Sequence, residues 1–191
     1  EAFLRGIERR LEARLDPNVH SVASIFVSRW DVAVSNTVPE ELRNRLGIAI
    51  AMRTYRAYRE LLDSPRCRRI ADAGGQMQRL LWASTGTKDP KASDVLYVDA
   101  LVAPDTVNTM PEATLKAVAA RDTIGSALPA DGGDCEQVLA EFAKAGVDID
   151  ALAARLQQEG AQSFSKSWND LLGVIATKSA TLRGPALKAG G

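Results

Sequence analysis

The chain has 191 residues, 24 Lys plus Arg against 24 Asp plus Glu, 46% hydrophobic residues and 25% charged ones. That length holds one ordinary domain with a real core and is short for two, and balanced charge leaves no global field to draw the chain to DNA or an anionic membrane. No apolar run approaches the roughly 20 residues of a bilayer span, and no basic-then-apolar leader opens the chain. Cys67 and Cys135 have neither a CxxC spacing nor neighbouring histidines, so they are expected as free thiols in a reducing cytoplasm and not as zinc ligands. Glu1 stands where a methionine would open a reading frame, and a truncated frame is the expectation.

In chain order, Phe3, Leu4, Ile7, Leu11 and Leu15 recur at helical spacing, and Asp16-Pro17-Asn18 stops that helix. His20 to Val27 is a β-branched run with few polar residues, the pattern of a strand in a parallel sheet, and the strand is expected to end at Ser28-Arg29. Pro39, Glu40 and Glu41 predict the start of a long helix, with Leu42, Leu46, Ile50, Tyr58, Leu61 and Leu62 as its buried side. It ends at Asp63-Ser64-Pro65, and a short helix follows from Pro65 to Ala73.

Arg79 to Ser84 reads as a second strand with a turn-rich loop, "TGTKDPKASD". A helical turn near Val95–Leu101 precedes a third strand in "PDTVNTMP", and 112–120 look helical. Asp134 with Gln137 predicts a capped helix running to Gly146. Two further helices are expected at about 149–159 and 161–176, the second burying Phe164, Trp168, Leu171, Leu172 and Ile175. Residues 177–191 read as a linker or a frayed tail.

Strands alternating with helices predict an α/β fold with a parallel sheet, in which ligands sit at the carboxyl ends of the strands. Those ends carry Ser28-Arg29, then Ser84-Thr85-Gly86-Thr87-Lys88, then Asn108-Thr109. An arginine fork fits a phosphate with two parallel bonds and a lysine adds a compact charge. Two readings of Arg29 stand side by side: it meets a substrate phosphate, or it pairs with Asp31 or another carboxylate and holds a loop. Ser84 and Thr85 also suit turn caps. "STGTK" is not a nucleotide P-loop, because Leu81 stands where the first glycine belongs and Asp89 follows the lysine. His20, the single histidine, reads as structural, and Arg53, Arg56 and Arg59 as a solvated helix face.

Three stretches, "ASIFVSRWD" (23–31), "QRLLWASTGTKDP" (78–90) and "DVLYVDALVAPDTVNTMPEATL" (94–115), together with "SFSKSWNDLL", resemble the transaldolases, in particular the bacterial type with a WAST segment. The resemblance runs from residue 1 to about 176. It implies a (β/α)₈ barrel enzyme of the pentose phosphate pathway that moves a dihydroxyacetone unit from sedoheptulose 7-phosphate to glyceraldehyde 3-phosphate through a lysine Schiff base, with no metal or organic cofactor. By motif, Ser24 matches the family's serine at the dihydroxyacetone moiety, Arg29 its phosphate-binding arginine and Ser84 the serine that assists the phosphate. Gly86 stands where many transaldolases carry a second phosphate-binding arginine, and Lys88 is the candidate replacement.

A full barrel takes about 250 residues and eight strands, whereas three strands are expected here. The lysines (88, 91, 116, 144, 166, 178 and 188) all fall in loops, surface-type helix positions or the tail, and none matches the family's Schiff-base lysine. The expectation is a partial (β/α)₈ barrel over residues 1–176, comprising strands six to eight with their helices and the preceding helix, inactive by itself. Sugar phosphates are the expected ligands. The resemblance also implies a homodimer, a cytoplasmic location and, for some relatives, a downstream glucose-6-phosphate isomerase domain. The competing reading is a non-catalytic α/β module that binds a sugar phosphate.

Overall fold

The computed structural model describes residues 1–183. Contacts divide the chain into two compact units, Glu1–Val147 and Asp148–Gly191. Residues 184–191, most of the expected linker and the place where an isomerase fusion would begin, lie outside the described residues.

The first unit runs α1 (Ala2–Glu12), β1 (Val22–Phe26), α2 (Val27–Val34), a 3₁₀ turn (Glu40–Leu42), α3 (Leu46–Leu62), α4 (Pro65–Asp72), β2 (Arg79–Ala83), α5 (Leu96–Ala100), β3 (Thr106–Asn108), α6 (Glu112–Ala119) and α7 (Cys135–Lys144). The three strands form one parallel sheet in the order β1-β2-β3, with Ser24 opposite Leu81 and Leu81 opposite Val107. The α/β class and the parallel sheet are as the sequence predicts.

Side chains alternate across a strand. Ala23 and Ile25 of β1 and Leu80 and Trp82 of β2 therefore share one face, where they pack with Val27, Ala51, Tyr55, Tyr58, Tyr97, Leu101 and Leu128. The opposite face presents Val22, Ser24, Leu81 and Val107, the first two exposed and the others half-buried. Parallel sheets in globular proteins are covered on both faces, so an exposed Val22 and Ser24 are unusual for a finished α/β domain. A second cluster joins Leu4 and Ile7 of α1 to Cys67 and Ile70 of α4. Both cysteines are free and buried.

In the first unit the structure corrects four expectations. The first strand stops at Phe26, and Ser28 and Arg29 lie on α2; the Ser28 N–H leaves the ladder for the Ser84 carbonyl (3.1 Å). The helix expected from Pro39 is a 3₁₀ turn followed by a break, with Asn44 at φ 60°. Its regular part starts at Leu46, and Leu61, expected on the buried side, is exposed. Asp134 precedes α7 without a side-chain cap bond, although Gly146 does take the left-handed conformation at φ +87°. Ser64, by contrast, caps α4 through the Cys67 N–H.

Among its described residues the second unit is a single helix, α8 (Ile149–Arg183), where two helices ending at about 176 were expected and 177–183 were read as part of the tail. The Asp148 carboxylate accepts the Ala151 N–H at its start (2.9 Å). Phe164, Trp168, Leu171, Leu172 and Ile175 do share a helical stripe, but all five are exposed; periodicity reports that one face is apolar and not what covers it. Among the described residues no helix is long and apolar enough to cross a membrane.

Candidate functional site

At the carboxyl ends of β1 and β2 the chain makes two sharp departures from the sheet. After Phe26 it turns directly into α2, and after Ala83 it passes through Ser84 at φ 57°, a left-handed conformation that costs a non-glycine residue roughly 1 kcal/mol or more. The two departures are tied to each other. The Ser28 and Ser84 hydroxyls share a hydrogen bond of 2.8 Å, and Ser28 N–H donates to the Ser84 carbonyl. Next along, the fully buried Thr85 donates to Asn108 Oδ1 (2.8 Å) and reaches the Thr109 carbonyl (3.0 Å), which locks the β2 loop to the end of β3.

Arg29 is the residue after Ser28 and so stands at this corner. Its guanidinium carbon lies 4.2 Å from the centre of the Phe26 ring, and Phe26 projects from the same sheet face as Ser24 by strand alternation. Among the described residues no carboxylate pairs with Arg29. The alternative that Asp31 neutralises it is not what the structure shows, because Asp31 is engaged elsewhere. Asp31 is 5% exposed and accepts from Leu46 N–H (2.9 Å), Gly47 N–H (3.1 Å) and the Tyr97 hydroxyl (2.8 Å). Burial pushes its carboxyl above the ordinary range, against the three hydrogen bonds that favour the anion. Burial and the Asp31 charge push the Tyr97 hydroxyl up as well.

Of the four residues singled out from sequence, Ser84 is tied through Ser28 to the first turn of the helix that carries Arg29, and Ser24 lies on the sheet face from which Phe26, under the Arg29 guanidinium, projects. Lys88 lies apart. Its exposed side chain lines a cavity of about 310 Å³ together with Arg43, Asn36, Asn44, Asp31 and Tyr97. Gly86 has a packing reason of its own, since a Cβ there would meet Pro111 Cγ at 2.9 Å and Cδ at 3.3 Å. A larger side chain at that position therefore requires the Pro111 ring to move.

Sequence reasoning did not single out Ser28, or the use to which Asp31 and Tyr97 are put. No local signal marks them, because their partners lie 56 residues away for Ser28 and 15, 16 and 66 residues away for Asp31. The arginines of α3, expected on a solvated face, are instead half-buried and tied to other elements: Arg53 and Arg56 both pair with Glu136 of α7, and Arg59 pairs with Asp105.

The sequence matches the family model for transaldolase/fructose-6-phosphate aldolase over residues 7–175. It is 43% identical over 182 residues to a transaldolase of Saccharopolyspora erythraea, covering 92% of this chain and 50% of that protein. It is 44% identical over 184 residues to one of Parafrankia, again covering 92% and 50%. With a transaldolase of Neisseria meningitidis it shares 40% over 175 residues, covering 91% and 50%. The chain spans about half the length of these curated relatives. With a parallel sheet and a family match over most of its length, the chain belongs to the transaldolase/fructose-6-phosphate aldolase family.

Proposed function

We propose that the chain is the C-terminal part of a transaldolase (β/α)₈ barrel and supplies the phosphate-binding side of its mouth. The observation that carries this reading is the corner itself: among the described residues an arginine with no carboxylate partner, on a helix whose preceding residue, Ser28, is hydrogen-bonded to Ser84, at the carboxyl ends of adjacent parallel strands. In barrels of this kind the reaction occurs at that end. The exposed sheet face with Ser24, Val22 and Leu81 suits a barrel interior that five further strands would close. Half-length coverage of the relatives supports the same conclusion.

In the complete enzyme, a lysine outside this chain would condense with the ketone of sedoheptulose 7-phosphate, losing water to form an iminium. Cleavage of the carbon–carbon bond sends its electron pair into that iminium, releases erythrose 4-phosphate and leaves an enamine. The enamine carbon attacks glyceraldehyde 3-phosphate, and hydrolysis frees fructose 6-phosphate and the amine. This chain's part is binding. Arg29 offers two parallel N–H donors to the phosphate, Ser84 adds a hydroxyl, and Ser24 meets the dihydroxyacetone moiety. The described lysines are all exposed and none lies in a strand, so none has the desolvated setting that frees an amine to act as a nucleophile at neutral pH.

The test is to assay dihydroxyacetone transfer in two polypeptides: residues 1–191 alone, and the same residues preceded by the family's N-terminal half. The expected outcome is no turnover for the first, and turnover for the second that borohydride abolishes in the presence of the donor. An inactive joined polypeptide that is folded, or transfer by residues 1–191 alone, contradicts the proposal.

A further inference from the structure

If Arg29 meets the phosphate, what aims it? Among the described residues its side chain is held by the Phe26 ring and no ion pair, so its direction is set by the helix that carries it. That helix, α2, has eight residues and no side-chain cap at its N-terminus. Two turns of helix are marginal on their own, and its placement must come from tertiary contacts.

Those contacts flank Arg29. On one side, Ser28 is bound through both its N–H and its hydroxyl to Ser84. On the other is Asp31. Residues two apart on a helix point about 200° away from each other, so when Arg29 leans over the sheet end, Asp31 faces inward. There it meets the start of α3, whose first N–H groups have no intrahelical acceptors and whose preceding residue, Arg45, provides no side-chain cap. The Asp31 carboxylate takes Leu46 N–H with one oxygen and Gly47 N–H with the other, and the Tyr97 hydroxyl of α5 adds a third donor.

The approach is as close as backbone permits. A Cβ on Gly47 would lie 2.4 Å from the Val27 carbonyl oxygen and 2.6 Å from Asp31 Oδ2, so glycine is what lets α2 seat on the end of α3. The positive end of the α3 dipole and three hydrogen bonds offset part of the cost of burying the charge, and among the described residues no cation pairs with it. Arg29 is thereby left without its nearest acid on the chain as a counter-ion.

We infer that Asp31 is a positioning residue for Arg29: by anchoring α2 to the α3 N-terminus and Tyr97, it fixes the direction in which the guanidinium meets the substrate phosphate. This rests on the reading of Arg29 as the phosphate-binding arginine. The experiment is a double-mutant cycle in the joined polypeptide described above, measuring KM and kcat for glyceraldehyde 3-phosphate in the unsubstituted protein, Arg29→Ala, Asp31→Asn and the double variant. Asparagine keeps the shape but leaves one N–H of α3 without an acceptor.

The expected result is a KM raised about tenfold to a hundredfold by Asp31→Asn with kcat nearly unchanged, and no further rise when Asp31→Asn is added to Arg29→Ala. A side chain that serves only stability would lower Tm with KM unchanged, or give a KM effect that persists in the Arg29→Ala background, and either outcome overturns the inference. Should Asp31→Asn fail to fold, Tyr97→Phe, which removes one of the three donors, carries the same cycle with a smaller expected rise. If Arg29→Ala by itself leaves KM unchanged, the phosphate reading of Arg29 fails first, and the inference with it.

Discussion

Replacing Arg29 with alanine separates binding from stability in a way the structure makes quantitative. In the fold, Arg29 makes no ion pair among the described residues and stacks on one ring at 4.2 Å. A contact of that kind at a partly exposed site contributes about 0.5–1 kcal/mol. For a chain of this size that corresponds to a fall in Tm of roughly 1–4 °C. Against the substrate, the fork donates two charge-assisted hydrogen bonds, each worth about 1.5–3 kcal/mol. Losing a net 2–4 kcal/mol raises KM for a phosphorylated substrate by roughly 30-fold to 1,000-fold at 1.4 kcal/mol per decade.

The assay is steady-state kinetics of the joined polypeptide with glyceraldehyde 3-phosphate and with unphosphorylated glyceraldehyde as acceptors, alongside thermal denaturation. The large rise is expected for the phosphorylated acceptor only. Arg29→Lys, which keeps the charge and loses the fork, should fall between. Equal losses on both acceptors, or a collapse in Tm with no change in KM, would refute the reasoning.

Further outcomes follow from the same structure. Gly86→Arg places the residue found in many transaldolases where its Cβ meets the Pro111 ring at 2.9 Å; urea denaturation should show a loss of about 1–3 kcal/mol, with no fall in KM. Glu136 is held below its ordinary value of 4.5 by the Arg53 guanidinium and then by Arg56. Its contribution is therefore complete above that ordinary value and lost as pH falls through the depressed one. The Tm difference between the unsubstituted chain and Glu136→Gln should accordingly be present at pH 7, shrink with added salt and vanish in acid. In the isolated chain, β1 and β3 are the edges of the sheet and Val22 is 42% exposed. Sedimentation velocity should show mass rising with concentration, and Val22→Lys should reduce it.

Much of the architecture was legible because it is written in local patterns. The apolar run Leu80–Ala83 with its central Trp82, the Ser64-Pro65 start of α4 and the glycine at 146 each carry their own reason. What was hidden depends on partners far along the chain. "VSRWDVAV" has strand-like composition, and it turns helical because Ser28 and Asp31 find Ser84, Leu46, Gly47 and Tyr97. The late start of α3 has the same cause, since its first N–H groups are capped by a carboxylate 15 residues upstream. The stripe from Phe164 to Ile175 was readable as an apolar face, and its exposure was not. At the site, Arg29 and Ser84 stood out by type and position. Lys88 did too, and the structure seats it with Arg43 instead.

The most direct test of the account is to titrate inorganic phosphate into the isotopically labelled joined polypeptide and follow arginine side-chain and backbone amide resonances. The account predicts saturable shifts at Arg29 Nε–H and at the Ser28 and Ser84 amides, lost in Arg29→Ala. Shifts confined to Arg43 and the residues around Lys88, or saturation that survives Arg29→Ala, would place the anion elsewhere and contradict it.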